Sequence, residues 1–369
     1  MKRSSCTSMR LWLVIALALC CVALFARDAD ALNLKLKGVN YDFRQGPDYD
    51  PDRCKASAKI SKELKLLSTI TPRVRIYSVS DCNVRPLLKY AKQYNMTVWM
   101  GVWVGNTTKT FGKELKTLTA LVSEGVIDSQ LVVGVNVGSE ALYRNDSTPA
   151  QLIANMKSVK ELFAANNLSN IPISITDTLS ELLDNPSVIE AVDIVSFNIF
   201  PFWGKVAVAD AMKNLNDSIA PLAKAAGNKT FVITETGWAT DGYDKRASEA
   251  SPANAVKYLN DFFLLAERNQ WMYYYFSAYD TPYRKEVENN LNTVEAFFGL
   301  FNVGDKLNKP YETLVINGTS GKDGSVDEIP KATSSPTPVP TTSGGSAPSS
   351  PSLSMVAITL MTFLATALS

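Results

Sequence analysis

Histidine is absent from all 369 residues of the chain. Ser-His-Asp and Cys-His catalysis need an imidazole as the base, and histidine-ligated zinc needs one as a ligand. The absence therefore excludes these classes of enzyme and metal site. Any proton transfer that the chain catalyses must use carboxylates, lysine or tyrosine instead.

An excess of charge of either sign is also lacking. The 37 basic and 36 acidic residues give a formal net charge of +1, which provides no electrostatic case for binding nucleic acid. The composition, 46% apolar and 20% charged, is that of a globular chain with enough apolar residues for a core. The length would allow two domains, but single α/β barrels reach this size.

Three of the five cysteines lie in the first 31 residues, which have the pattern of a secretory signal peptide. Residues 1–10 are basic, residues 11–25 form an unbroken apolar run, and residues 29–31 are a small-residue cleavage pattern. A membrane span is the weaker alternative, because 15 apolar residues are short for a span. We therefore predict cleavage after Ala31.

Cleavage would leave two cysteines, Cys54 and Cys82. A secreted protein favours a disulfide, and only one pairing is possible. The alternative, two buried free thiols, stays open, because the sequence does not give the separation of the Cα atoms.

The C-terminal end has the composition of a surface anchor. Residues 319–352 are rich in Ser, Thr, Pro and Gly, which is typical of an extended stalk, and residues 353–369 are apolar or small without charge. With the small residues at 343–345, this pattern predicts a GPI anchor; a tail-anchored helix is disfavoured because flanking basic residues are lacking. Seven Asn-X-Ser/Thr sequons add the expectation of a glycosylated cell-surface protein: Asn95, Asn106, Asn145, Asn167, Asn216, Asn228 and Asn317.

Residues 32–318 alternate strand and helix signals and are predicted to form one catalytic domain. Eight apolar runs, each followed by a helix-like segment, indicate a (β/α)8 barrel, and near-continuous apolar strands are typical of parallel sheets covered on both faces. An open doubly wound sheet would carry a Gly-rich turn after the first strand, and none follows Tyr41. The predicted strands span 34–41, 73–78, 97–105, 131–140, 171–176, 193–201, 230–240 and 271–280.

Two glutamates come at the ends of predicted strands: Glu140 after the fourth and Glu235 after the seventh. In a closed barrel these ends converge on one mouth. Paired carboxylates across a cleft are what glycoside hydrolysis needs, one to protonate the leaving oxygen and one to attack the anomeric carbon or activate water. Arg75, at the end of the second strand, could hold a carboxylate ionised. The alternative for Glu235 alone is a residue that caps the following turn.

Aromatic residues also cluster after the strands, where flat apolar sugar faces could stack on them. For any single ring, core packing is the competing interpretation; the group as a whole favours a sugar-binding cleft. Its members are Tyr41, Tyr77, Trp103, Phe200, Phe202, Trp238 and Tyr279.

The segments VGSEALY at 137–143 and VITETGW at 232–238 resemble the two catalytic motifs of glycoside hydrolase family 17, the β-1,3-glucanases. GVNY at 38–41, RIY at 75–77 and VEAFFGLF at 294–301 are similar to further segments of that family, in the same order. The resemblance implies a barrel that retains anomeric configuration, with Glu140 as acid/base and Glu235 as nucleophile. No metal or cofactor is expected, since two carboxylates suffice.

The resemblance and the aromatic pattern together predict the residues that bind substrate. These are Tyr41, Arg75, Tyr77, Asn198, Trp238, Asp280, Arg284 and Glu295. Two positions depart from the family pattern: Ser139 stands where many relatives have Asn, and Ser277 stands where fungal relatives tend to have Glu.

We therefore expect a monomeric, GPI-anchored β-1,3-glucan endohydrolase that acts on its own cell wall and is linked to the membrane through its anchor. A glucanosyltransferase, in which a second sugar replaces water as acceptor, is the alternative. A non-catalytic glucan-binding surface protein is a further alternative, which the presence of both glutamates disfavours.

Overall fold

The computed structural model describes residues 32, 34–312 and 314. In this part of the chain eight parallel strands follow one another around a closed barrel, and β8 pairs with β1 to complete it. The predicted (β/α)8 fold is confirmed. The predicted signal peptide, stalk and anchor signal lie outside the described residues. Among the helices that are described, none has the length and hydropathy needed to cross a bilayer.

Seven of the eight strands are shorter than predicted, and the fifth has the predicted length but lies two residues later in the chain. The first strand is the extreme case: its ladder holds two residues where residues 34–41 were predicted. The strands are β1 (Val39–Asn40), β2 (Arg73–Arg75), β3 (Thr97–Val102), β4 (Val132–Ser139), β5 (Ile173–Thr178), β6 (Val195–Asn198), β7 (Phe231–Thr236) and β8 (Met272–Tyr275).

Helices follow the strands on the outside of the barrel. Pro149, Pro186 and Pro252 each occupy the first helical position, where a missing N–H costs nothing. Pro186 thus begins a second short helix, one residue after the helix that follows the fifth strand has ended. The described helices are α1 (Ser57–Leu67), α2 (Arg85–Gln93), α3 (Thr108–Ser123), α4 (Pro149–Ala164), α5 (Leu179–Asp184), α6 (Pro186–Ala191), α7 (Ala211–Ala226), α8 (Pro252–Asn269), α9 (Arg284–Val287) and α10 (Lys309–Glu312).

A small apolar cluster fills the interior of the barrel. Trp99 of β3 and Tyr274 of β8 meet with ring centroids 6.0 Å apart, although their strands are not neighbours. Gly134 makes room for the indole, because a Cβ there would lie 2.5 Å from its ring atoms. Val232 completes the cluster, which is separate from the main core outside the sheet.

The Cys54–Cys82 disulfide is present, with Cα atoms 5.6 Å apart. It joins the segment before α1 to the loop after β2. The predicted pairing is thus found, and the alternative of two free thiols is not.

Candidate active site

A cavity of about 610 Å³ opens at the carboxyl ends of the strands. Every strand contributes to its wall through its last residues or the loop that follows, as expected for the catalytic face of a barrel. One contributor from each strand, in order, is Asp42, Tyr77, Trp103, Glu140, Thr178, Asn198, Glu235 and Phe276. The barrel thus brings the two predicted catalytic glutamates to one cavity.

Glu235 is carried by β7, whose apolar residues are buried in the sheet. The strand ends at Thr236, and a Cβ on the next residue, Gly237, would lie 2.1 Å from the backbone oxygen of Phe276. Only glycine allows the chain just after β7 to approach the end of β8 this closely. Glu235 lies two residues before this contact and lines the cavity. Its carboxylate is 8% exposed, so it keeps a narrow opening toward the cavity.

Arg75 is the charge partner of Glu235. Its guanidinium is fully buried, and Nη1 lies 2.7 Å from Glu235 Oε1. The same group donates to Asn40 Oδ1 at 2.8 Å and to Ser139 Oγ at 3.0 Å. A guanidinium fixed by three acceptors presents its charge to the carboxylate in a single geometry.

The surroundings of Glu235 act on its pKa in opposite directions. Burial raises the pKa of the carboxyl, and the charge of Glu140 adds to this rise. The charge and hydrogen bond of Arg75 oppose this rise, as does the Tyr77 hydroxyl, but the pKa stays above its usual value. The predicted role of Arg75, to favour the ionised form of a carboxylate, agrees with this geometry.

Glu140 follows directly after β4 and is held by Asn198 at the end of β6. Asn198 Nδ2 donates to Glu140 Oε1 at 2.8 Å. Thr234 Oγ1 donates to Asn198 Oδ1 at 2.9 Å, which fixes the amide so that its nitrogen faces Glu140. Asn198 is also in register with Glu235. One amide therefore stands between the two carboxylates and orients the first of them.

The aromatic residues divide into two groups. Four of the seven line the cavity: Tyr77, Trp103, Phe200 and Tyr279. Phe202, Tyr41 and Trp238 are at most 1% exposed and lie behind its wall. The prediction that Tyr41 and Trp238 line the cleft is wrong, because their polar atoms form hydrogen bonds within the protein behind the cavity wall. Tyr41 Oη donates to Glu63 at 2.6 Å, and Trp238 Nε1 donates to the backbone oxygen of Glu249 at 2.9 Å.

Of the remaining predicted substrate-binding residues, Asp280, Arg284 and Glu295 reach the cavity wall. Arg75 does not line the cavity, because it is fully buried behind Glu235, so its predicted contact with substrate is wrong. Asp280 accepts from Gly299 N and Asn308 Nδ2, both at 2.9 Å, so its carboxylate secures the segment after β8. Burial raises its pKa to about 6. Burial likewise raises the pKa of Glu295 to about 7, against the opposing charge of Arg284. The charges of Glu140 and Glu235, which line the same cavity, contribute to this rise.

Two polar residues of the site, Asn40 and Asp177, were not predicted as functional, and Ser139 was noted only as a departure from the family pattern. Asn40 and Ser139 fix Arg75, and Asp177 accepts from the turn that follows Glu140. Each of the three lies in one of the last two positions of its strand, and that position was the available signal. Among the described residues, no group of three or more Cys, Asp or Glu side chains is arranged to hold a metal ion.

The barrel and its paired carboxylates are those of a glycosidase. The family model described as "BtgE/BtgC glycoside hydrolase domain" matches residues 38–299, and the chain belongs to this family.

Named relatives and solved structures agree with this assignment. A Saccharomyces cerevisiae protein named "Glucan 1,3-beta-glucosidase" is 28% identical over 72% of this chain and 88% of its own length. An Aspergillus flavus protein named "Probable glucan endo-1,3-beta-glucosidase btgC" is 30% identical over 67% of this chain. The match spans only 39% of that relative's length.

The fold is similar to that of a "glycoside hydrolase family 17 beta-1,3-glucanosyltransferase" from Rhizomucor miehei, with a TM-score of 0.66 and 29% identity. The alignment covers 74% of this chain and 96% of the other. An active-site mutant of the same enzyme, in complex with laminaritriose, is similar to the same degree, with a TM-score of 0.66 and 28% identity.

Proposed function

We propose that the chain is a glycoside hydrolase family 17 enzyme that cleaves β-1,3-glucan with retention of configuration. Glu235 is the nucleophile and Glu140 is the acid/base. The proposal rests on the different contacts of the two carboxylates in one cavity. A buried guanidinium contacts Glu235, whereas a neutral amide contacts Glu140.

The contacts of Glu235 suit a nucleophile. A nucleophile must be ionised before it attacks the anomeric carbon, and the 2.7 Å contact with Arg75 favours the charged form in a buried setting. Attack by Glu235 forms a glycosyl-enzyme bond as the glycosidic bond breaks, and the leaving oxygen takes a proton. Arg75 is already engaged by Asn40 and Ser139, so little reorganisation accompanies this change.

The contacts of Glu140 suit the group that donates this proton. The amide of Asn198 donates to Oε1, so the proton of the acid form belongs on Oε2. After the leaving group departs, the ionised Glu140 accepts a proton from the acceptor hydroxyl, which then attacks the glycosyl-enzyme. One residue thus serves both steps.

The names of the relatives support β-1,3-glucan as substrate, and the aromatic wall of the cavity supports a sugar ligand of some kind. Hydrolysis and transfer differ only in the acceptor. The alignment with the Rhizomucor miehei transferase covers 74% of this chain and 96% of the other, at 29% identity. Transfer to a second glucan is therefore the second candidate.

The test is an assay on laminari-oligosaccharides with products sized over time. We expect cleavage with a β-anomeric first product; products longer than the substrate would establish transfer. Glu235→Gln should abolish both activities. Glu140→Ala should be slow on oligosaccharides and should yield a β-glycosyl azide from an activated aryl glycoside when azide is added.

Glu267→Gln is the matched control for these variants. Glu267 lies in the last turn of α8 and forms a half-exposed surface pair with Lys37, and neither residue lines the cavity, so its loss should leave turnover unchanged. Full activity in Glu235→Gln would refute the assignment of the nucleophile. An α-configured azide product from Glu140→Ala would refute retention.

We further propose that the enzyme is exported, glycosylated and attached to the cell surface by a GPI anchor. Release from membranes by a phosphatidylinositol-specific phospholipase tests the anchor. Asn216 should stay unmodified, because it is 6% exposed within α7. The sequons available for glycans are those at exposed positions: Asn95, Asn106, Asn145, Asn167 and Asn228. Glycopeptide mapping would decide both points.

A further inference from the structure

One buried carboxylate near the cavity has no part in the mechanism above. Asp177 lies in β5, is fully buried, and does not line the cavity. It therefore cannot touch a substrate bound there. A buried carboxylate is costly unless hydrogen bonds compensate it, so its partners indicate what it does.

Asp177 accepts hydrogen bonds from the backbone that follows Glu140. Leu142 N donates to Oδ2 at 2.9 Å, and Tyr143 N donates to Oδ1 at 3.3 Å. The N–H of Thr178 also donates to Oδ1, at 2.9 Å. Two of the three donors thus belong to the turn that carries the acid/base glutamate, 35 and 34 positions away along the chain.

That turn has a backbone conformation that needs support. Glu140 has a φ of +55°, in the left-handed region that side chains other than glycine seldom adopt. Such a conformation costs on the order of 1–3 kcal/mol and persists only where its surroundings enforce it. The strained residue here is the general acid itself, so whatever enforces the conformation also sets the direction of its carboxyl.

The neighbouring contacts enforce the conformation from both sides of Glu140. Glu140 N donates to the backbone oxygen of Thr176 at 3.0 Å, the residue before Asp177. Arg144 Nη1 donates to Ser139 O at 2.7 Å. Asp177 adds the hydrogen bonds that hold the turn immediately after Glu140. Burial raises the pKa of Asp177, and the charge of Glu140 adds to the rise.

We propose that Asp177 is a positioning residue that holds the Glu140 turn in its left-handed conformation and thereby aims the general acid at the glycosidic oxygen. The inference rests on the proposed function of Glu140. Its chemical consequence is specific: loss of Asp177 should impair steps that need proton transfer and spare steps that do not.

The test compares two reactions in each variant. Laminari-oligosaccharides have a poor leaving group and need the general acid. A dinitrophenyl β-laminaribioside with added azide needs neither acid nor base assistance, because its leaving group is stable as an anion and azide is already a nucleophile. We expect Asp177→Ala to lose at least about tenfold in kcat on oligosaccharides, but less than the roughly 10²–10⁴-fold that loss of general acid catalysis itself would cost. KM and the azide reaction should stay within about twofold.

Asp177→Asn gives a second, milder variant in case Asp177→Ala folds poorly. Its amide oxygen replaces one acceptor, so its loss on oligosaccharides should be intermediate. The matched control is Asp193→Asn. Asp193 Oδ2 accepts from the backbone N–H of Ile173 at 2.9 Å, at the opposite end of the same strand. This variant loses a comparable contact remote from Glu140 and should keep the wild-type ratio of the two reactions.

Equal losses in the two reactions, or no loss in either, would overturn the role of Asp177. Failure of the wild-type chain to act on any β-1,3-glucan would overturn the proposed function and, with it, this inference. The two failures are distinguishable, because the first is a ratio measured in variants and the second is an activity measured in the wild type.

Discussion

Replacement of Arg75 by methionine removes the charge opposite Glu235 while keeping a side chain of similar length. Three hydrogen bonds are lost, of which only the 2.7 Å bond to Glu235 joins two charged groups. A buried carboxylate without that partner favours its protonated form, because burial already raises its pKa. The acid limb of the pH profile for kcat/KM should therefore move toward higher pH.

The magnitude follows from the hydrogen bond that is lost. A hydrogen bond to a charged group contributes about 1.5–3 kcal/mol, and each 1.4 kcal/mol is a factor of ten. At a fixed pH on the acid limb, kcat/KM should fall by roughly 10- to 100-fold, with partial recovery as pH rises. Trapping of the nucleophile with an activated 2-deoxy-2-fluoro glycoside, measured over the same pH range, should show the same displacement without depending on Glu140.

Arg73→Met is the control for this change. Arg73 begins the same strand and contacts the backbone oxygen of Lys37 at 3.4 Å, at the end of the barrel remote from the cavity. Its removal should leave the pH profile in place. A folded Arg75→Met protein whose acid limb coincides with that of the wild type would refute the view that this guanidinium governs the ionisation of the nucleophile.

Two further predictions concern stability. Burial raises the pKa of Asp177 to about 7, from about 3.9 in an unfolded chain. Below pH 4 the group is neutral in both states. Between about pH 4 and 7 the folded state binds more protons, so the free energy of unfolding should fall as pH rises, by up to about 4 kcal/mol from this group. Urea unfolding at pH 4.5 and 7.5 should show this fall, and Asp177→Asn should reduce it; parallel behaviour of the two proteins would contradict the assignment. Replacing Cys54 and Cys82 by serine opens a link between residues 28 positions apart and should cost about 3 kcal/mol in urea unfolding, whereas an unchanged midpoint would show that the link contributes nothing.

The barrel and the catalytic pair could be predicted from sequence because both depend on strand order. Apolar runs mark the strands, and the closed parallel sheet brings the ends of the fourth and seventh strands together whatever their exact lengths. Glu140 and Glu235 could therefore be placed at one mouth without any knowledge of register. The lengths were less predictable: residues 34–41 alternate like a strand, yet only Val39 and Asn40 enter the ladder.

Side-chain direction was harder to predict than position. Tyr41 and Trp238 come at strand ends, as expected for cleft residues, but both side chains turn behind the wall. The sequence does not indicate this, because the deciding partners, Glu63 and the backbone of Glu249, are tertiary contacts. Asp177 was overlooked for a related reason: before Thr178, which caps α5, it reads as an ordinary polar residue between strand and helix.

At the two-residue strand β1 a side chain reinforces the seam of the barrel. Tyr275 N and Ala278 N donate to the backbone oxygens of Gly38 and Asn40, at 2.9 and 2.8 Å. Asn40 Nδ2 adds hydrogen bonds to the backbone oxygens of Thr234 in β7 and Tyr274 in β8. The oxygen of the same amide receives Arg75. Asn40 therefore links the closing strand of the ring to the buried cation that contacts Glu235. Under the proposed function, we expect a refolding chain to regain turnover only after β1 has joined β8.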